Sequence, residues 1–252
     1  MKILLSNDDG ILAKGLGVLE RAAASLGELH VVAPDREQSA TSHSLTLHRP
    51  LRPVRLGERR WQIDGTPTDC VMLACETLLD GRPDFVFSGI NHGPNMGEDV
   101  LYSGTVAAAM EGLALGVPSV ALSFAGSMLR ADALLETQIG VIRNLLHHLV
   151  SLPVFPADTL LNVNLPPVAG DDIRGVRLTR LGQRVFSDSI QHMKDPWGRQ
   201  IVWVGGGSVE WSGSHDSDFR AVQGGYISVT PLHLDLTHRE VLNNASEWWR
   251  EP

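Results

Sequence analysis

The chain is expected to fold as an α/β protein, with a Rossmann-like, mostly parallel sheet carrying helices on both faces and a C-terminal extension of β-hairpin and helix. Three observations support this. Short apolar runs such as 1–5, 29–34 and 85–88 each end in a polar loop. Helical patterns alternate with them, and beyond about residue 170 the texture changes to β-patterned segments.

In order, 1–5 reads as a first strand and Gly15 to Leu26 as an amphipathic helix (Leu16, Leu19, Ala22, Ala23, Leu26) ending at Gly27. A buried strand over 29–34 leads to a polar loop over 35–44, followed by a hairpin-like stretch with Pro50, Pro53 and Trp61. Gly65-Thr66-Pro67-Thr68-Asp69 starts a helix to about Leu79, and 85–88 is the third strand. Ser103-Gly104-Thr105 opens an alanine-rich helix to about Leu115. A strand over 119–123, a single helix over 134–149 and a strand over 160–165 complete the core. The remainder predicts a strand over 176–181, a long hairpin from Gln183 to Gly213 turning near Pro196-Trp197-Gly198, and a β-segment over 225–232. A short terminal helix carries Trp248 and Trp249. With no linker or repeat, the 252 residues read as one domain, its core about 1–170 and its extension about 171–252.

Composition narrows the function classes. Hydrophobic residues at 43% and charged residues at 20% suit a globular core. A formal charge of −8 argues against a broad basic surface for a nucleic-acid polymer, because neutralising phosphates takes Lys and Arg. No apolar run is long enough for a membrane span, and the start lacks signal-peptide character. Cys70 and Cys75 read as two buried thiols, so a cytoplasmic protein is expected.

The chemistry gathers at the ends of the expected strands. Asp8 and Asp9 in Ser6-Asn7-Asp8-Asp9-Gly10 are adjacent carboxylates that repel each other and call for a cation or a proton. In isolation such a turn simply caps the next helix. Two further strand ends offer hard oxygen groups, Ser39 in Asp35-Arg36-Glu37-Gln38-Ser39 and Asn91 in Ser88-Gly89-Ile90-Asn91. Carboxylate, hydroxyl and amide oxygens suit Mg²⁺, Mn²⁺ or Ca²⁺ better than Zn²⁺. His43, His48 and His92 lie nearby, where lone loop histidines are more often solvated or structural than ligands. Ser103-Gly104-Thr105 heads a helix, whose unpaired amides suit an anion, and it follows the loop that bears Asn91 and Asn95. Plain capping by Ser103 is the alternative.

Residues 3–10 (ILLSNDDG), 33–47 (APDREQSATSHSLTL), 65–71 (GTPTDCV), 88–112 (SGINHGPNMGEDVLYSGTVAAAMEG) and 226–232 (YISVTPL) resemble the SurE, or survival-protein-E, nucleotidases. The resemblance spans nearly the whole chain in register. It implies a metal-dependent phosphatase acting on nucleoside 5′- and 3′-monophosphates, in some members also on the terminal phosphate of short polyphosphate. It implies a homodimer or homotetramer built partly by exchanged C-terminal elements. Asp8, Asp9, Ser39 and Asn91 would hold one divalent cation per subunit, with Asp8 and Asp9 also catalytic. Asn95, Ser103, Gly104 and Thr105 would line the phosphate site. Ala40, His43 and Glu98 depart from the family pattern, where Gly, Asn and Asp are frequent, and bear on substrate preference rather than on the proposed ligands.

Activated water and direct attack by an aspartate both remain open as the phosphate-cleaving step. A transferase with a glycine-rich phosphate loop is disfavoured, since neither GxGxxG after the first strand nor GxxxxGK[ST] is present. A nucleotide-binding scaffold without turnover would not need two adjacent carboxylates.

Overall fold

The computed structural model describes residues 1–126, 131–187, 190–204 and 208–244. The elements run β1 (Lys2–Ser6), α1 (Lys14–Ala23), β2 (Glu28–Pro34), β3 (Pro53–Gly57), β4 (Arg60–Ile63), α2 (Pro67–Leu73), β5 (Phe85–His92), α3 (Gly104–Ala114), β6 (Ser119–Phe124), α4 (Ala131–Thr137), α5 (Ile139–Val150) and β7 (Leu160–Leu165). The extension adds β8 (Val176–Leu178), β9 (Gln183–Ser187), β10 (Ile190–Lys194), β11 (Gln200–Val204), β12 (Ser208–Ser212), α6 (Asp218–Gln223), β13 (Ile227–Leu232) and α7 (Arg239–Asn244).

Nine strands form one sheet in the order β3-β4-β2-β1-β5-β6-β7-β13-β8. The run from β4 to β7 is parallel throughout; β3 and β13 each pair antiparallel with a neighbour, β4 and β7 respectively. The two-residue period of a strand decides which helices cover which face. Ile3 and Leu5 pack with Leu16, Leu19, Leu135, Ile142 and Leu146 of α1, α4 and α5. Leu4, between them, packs on the other face with Cys70, Val71 and Ala108 of α2 and α3. A parallel sheet covered on both sides explains why these strands read as continuous apolar runs. The close seating of α1 depends on Gly15, where an added Cβ would meet Ile90 O at 1.9 Å.

Local signals account for the helix starts. Thr66 caps α2 by accepting from Asp69 N, while the Asp69 carboxylate accepts from Thr66 N, and Pro67 takes the first turn. A π-type turn over Ala74–Leu78 continues this helix.

Three expectations change. The single helix over 134–149 is two, α4 and α5, meeting at Gln138. There the fully buried Gln138 side chain donates to Pro166 O at 2.8 Å and Val168 O at 2.7 Å. The turn after β7 packs so tightly that a Cβ on Gly170 would lie 2.2 Å from Thr137 O. The strand expected over 176–181 stops at Leu178; beyond it the Thr179 hydroxyl bonds to those of Ser228 and Thr230, and Arg180 turns to Asp216. Helix α6 has no forerunner in the sequence reading.

The extension joins the core sheet through β13 and β8, and the 183–213 hairpin is two antiparallel ladders, β9–β12 and β10–β11. Its turn over 195–199 is closed by Asp195, which accepts from Trp197 N and Arg199 N. Trp248 and Trp249 lie outside the described residues.

Gln138→Ala strips the buried Pro166 carbonyl and the part-buried Val168 carbonyl of their donor and should lower unfolding free energy by about 2 kcal/mol or more, read from urea denaturation. A loss under about 0.5 kcal/mol would show that the α4–α5 break does not depend on this side chain.

Candidate active site

Chain connections diverge on either side of β1, to β2 on one side and β5 on the other, leaving a crevice at the carboxyl ends of the parallel strands. The loops after all three strands meet there. Asn7 closes the first loop by donating from Nδ2 to Gly10 O at 3.0 Å. Gly10 has φ +99° and faces the Arg36 backbone, a conformation and approach that suit glycine. The second loop is tied to the first by Gln38 N donating to Asp8 O at 2.7 Å. The third is tied by His92 N donating to Asp9 Oδ2 at 3.2 Å.

The amino end of α3 closes the crevice. Ser103 caps it, Oγ accepting from Val106 N at 3.1 Å. A Cβ on Gly104 would lie 2.7 Å from Asp8 Cβ and 3.0 Å from Asp8 Oδ2, so the helix end reaches the carboxylate only because this residue is glycine. Thr105, fully buried, donates its hydroxyl to Asp8 Oδ1. The polar segment 35–49 lies across this end: Ser42 N donates to Tyr102 O, Ser42 Oγ to Leu101 O, and His43 bonds to Glu111 of α3. Ala40 adopts φ +58° in this segment, a left-handed conformation easier for the glycine that the family resemblance expects there.

Burial dominates the electrostatics. It pushes the Asp8 carboxyl up from 3.8 to about 6. The hydrogen bond from Thr105 pulls it back, and the charge of Asp9 raises it again. Asp9 is also raised by burial, against the lowering effect of the His92 N–H and ring. Two aspartates held above the ordinary carboxylate range form a centre that a cation would relieve.

A cleft of about 220 Å³ is lined by Asp8, Ser39, Asn91, Asn95 and Ser103, together with Ala40, His92, Pro94, Asp99, Tyr102 and Arg184. Five of the eight expected site residues therefore line one cleft. Asp9 stands beside them through His92, Gly104 touches Asp8 from the helix end, and Thr105 sits behind Asp8. Asn91 uses its amide N–H on Gly93 O at 2.9 Å, which leaves its carbonyl oxygen as an acceptor. The Ser39 hydroxyl donates to Glu37 at 2.6 Å and keeps its lone pairs. Asn95 donates from Nδ2 to Ser123 Oγ at 2.8 Å, and its backbone carbonyl accepts from the side-chain amides of Asn162 and Asn164.

Three further residues contribute: His92, which the sequence offers only as a lone loop histidine, and Arg184 and Asp218, of which it gives no sign. His92 lies between Asp9, at 3.8 Å, and Asp132, at 3.4 Å. Arg184 enters from the hairpin, pairs with Asp99 and takes a backbone bond from its own N–H to Glu98. Asp218 accepts from Gly97 N, Gly182 N and Phe219 N, pinning the site loop to the base of the hairpin. Only His92 sits inside a quoted motif; Arg184 and Asp218 arrive from far along the chain and carry no local signal. Among the described residues, no group of three or more His, Cys, Asp or Glu side chains is placed to hold a metal. The donor set at the cleft is instead two carboxylates, a hydroxyl and an amide oxygen, which suits a hard cation with water in its remaining positions.

Fold and site together define a Rossmann-like α/β protein with an oxygen-lined crevice at its topological switch point. The family model described as survival protein SurE matches residues 3–188. A protein of Gemmatimonas aurantiaca named 5′-nucleotidase SurE is 84% identical over the full length of both chains. One of the same name from Methylococcus capsulatus is 49% identical over 98% of this chain and 97% of its own. The crystal structure of a SurE protein from Aquifex aeolicus superposes with a TM-score of 0.85 at 39% identity, covering 98% of this chain and 99% of that one. The chain belongs to the SurE family.

Because the folded-state pKa of Asp8 lies above its unfolded value, the folded chain binds the extra proton between about pH 4 and 6, and stability in chelator should fall as pH rises through that window. Asp8→Asn keeps an oxygen for Thr105 and removes the charge. It should therefore stabilise the chelated protein by about 1–3 kcal/mol at pH 8, the gain vanishing below about pH 4. Denaturation across pH measures this; a variant less stable than the parent at pH 8 would contradict it.

Proposed function

We propose that the chain is a divalent-metal-dependent phosphomonoesterase that converts nucleoside 5′- and 3′-monophosphates to nucleoside and phosphate, with the terminal phosphate of short polyphosphate as a further substrate. The observation that carries this reading is the buried Asp8, raised to about 6, against the amino end of α3 in a chain of this family. A carboxylate and a helix end placed together suit a cation and a phosphoryl group bound side by side.

Asp8, Asp9, Ser39 and Asn91 would hold one Mg²⁺ or Mn²⁺ ion; Ca²⁺ takes the same oxygen donors. When bound, the ion supplies a Lewis acid for a phosphate oxygen and makes a water available as nucleophile near neutral pH. The residues of the chain do the rest. Thr105 holds one Asp8 oxygen and so fixes the direction of the other. The helix end at Ser103 and Gly104, with Asn95, receives the phosphate oxygens and stabilises the charge that grows on them as the ester bond breaks. Thr105 thus serves the phosphate site through Asp8. Asp9, 3.8 Å from the His92 ring, would orient the attacking water. Attack by an aspartate itself is the second reading; the burial of Asp8 and its bond to Thr105 favour water.

The buried free thiols Cys70 and Cys75 fit a cytoplasmic protein, and no helix among the described residues is long and apolar enough to cross a membrane. Exposed Ile190, Met193, Val202, Trp203 and Val204 on the hairpin ladder β10–β11 support a homodimer or homotetramer that exchanges C-terminal elements.

Phosphate release from a nucleoside 5′-monophosphate should require Mn²⁺ or Mg²⁺, stop in chelator and fall about a hundredfold or more in Asp8→Asn. Mn²⁺ at a hundred times its Kd should stabilise the parent by about 2.7 kcal/mol and leave Asp8→Asn unchanged. Full turnover in chelator would overturn the metal assignment.

A further inference from the structure

A second chamber opens on the same edge of the sheet. Its volume is about 520 Å³, within the range of small-molecule sites, and its lining includes Pro94, Met96, Ala125, Trp211, Phe219 and Val222. Three strand ends contribute: Pro94 follows β5, Ala125 follows β6, and Pro167 and Val168 follow β7. This is the carboxyl edge of the parallel strands, where the oxygen-lined cleft also lies.

The two chambers share walls. Pro94 lines both. Of the next two residues, Asn95 lines the polar cleft and Met96 the apolar chamber. On the other side, Arg184 lines the cleft while its guanidinium stands 5.9 Å from the centre of the Trp211 ring, which lines the chamber. Trp211 is partly exposed and stacks on Phe219, with ring centres 6.1 Å apart and planes 19° apart. Arg220 and Gln223 also line the chamber, their side chains 3.4 Å apart.

We propose that this chamber is the nucleoside subsite, the base stacking on Trp211 while its phosphate lies in the cleft beyond Pro94 and Arg184. The proposal rests on the nucleotidase reading above and extends it to the group that carries the phosphate. An apolar, aromatic-walled space continuous with an anion site matches a nucleoside monophosphate, whose base is flat and apolar on its faces and whose phosphate is charged. Stacking on Trp211 uses the flat face that every base shares, so the chamber accepts any base and discriminates against phosphate esters without one.

The test compares kcat/KM for adenosine 5′-monophosphate and for glycerol 2-phosphate, with Mn²⁺ present. Trp211→Ala should lower the ratio of the two about tenfold, by raising KM for the nucleotide, and Trp211→Phe should restore most of it. Ala125→Phe, which fills the chamber from the opposite wall, should lower the same ratio, so the result does not depend on how Trp211→Ala folds. Free adenosine should inhibit the parent competitively and Trp211→Ala about tenfold more weakly. A ratio unchanged in both Trp211→Ala and Ala125→Phe overturns the subsite, as does a ratio lost only in Tyr102→Ala, which would place the base on the other side of the cleft. Failure of the parent to hydrolyse either ester would instead overturn the nucleotidase reading itself.

Discussion

A carboxylate buried at the end of β1 has to be met by hydrogen bonds or by a cation, and much of the site is arranged around that requirement. Asp8 is 4% exposed, takes the hydroxyl of Thr105, and has Gly104 pressed against it. The segment between Pro34 and Pro53 binds its backbone carbonyl through Gln38, and β5 delivers His92 to its neighbour Asp9. Each tie draws a separate strand end or helix end toward one point. Without them the loops after β1, β2 and β5 would share only the sheet edge.

The strain of this arrangement is electrostatic. Burial lifts both aspartates above their ordinary range, so ionisation works against the fold until something positive arrives. Sites that bind and react commonly sacrifice stability in this way. The hard-oxygen groups, the helix end and the raised carboxyls all meet at one sheet edge.

The core was legible because its signals are local. Continuous apolar runs mark strands covered on both faces, and Thr66-Pro67-Thr68-Asp69 spells out a capped helix start. Ser103-Gly104-Thr105 marked the other decisive helix end, although the partner of Thr105 is Asp8, 97 residues away, which no spacing reveals. The break at Gln138 was hidden because its cause lies in the carbonyls of Pro166 and Val168. Arg184, Trp211 and Asp218 stayed invisible for the same reason, since the hairpin and α6 reach the site only through the path of the folded chain. The chamber beside the cleft, absent from any reading of motifs, depends on these late segments.

The central claim is that Asp8, Asp9, Ser39 and Asn91 converge on one cation. Crystals of the protein grown with Mn²⁺ and recorded at the manganese absorption edge test it most directly. The account predicts a single anomalous peak per subunit within about 2.5 Å of oxygens from these four residues. A peak held by other side chains, or none at saturating Mn²⁺, would contradict it.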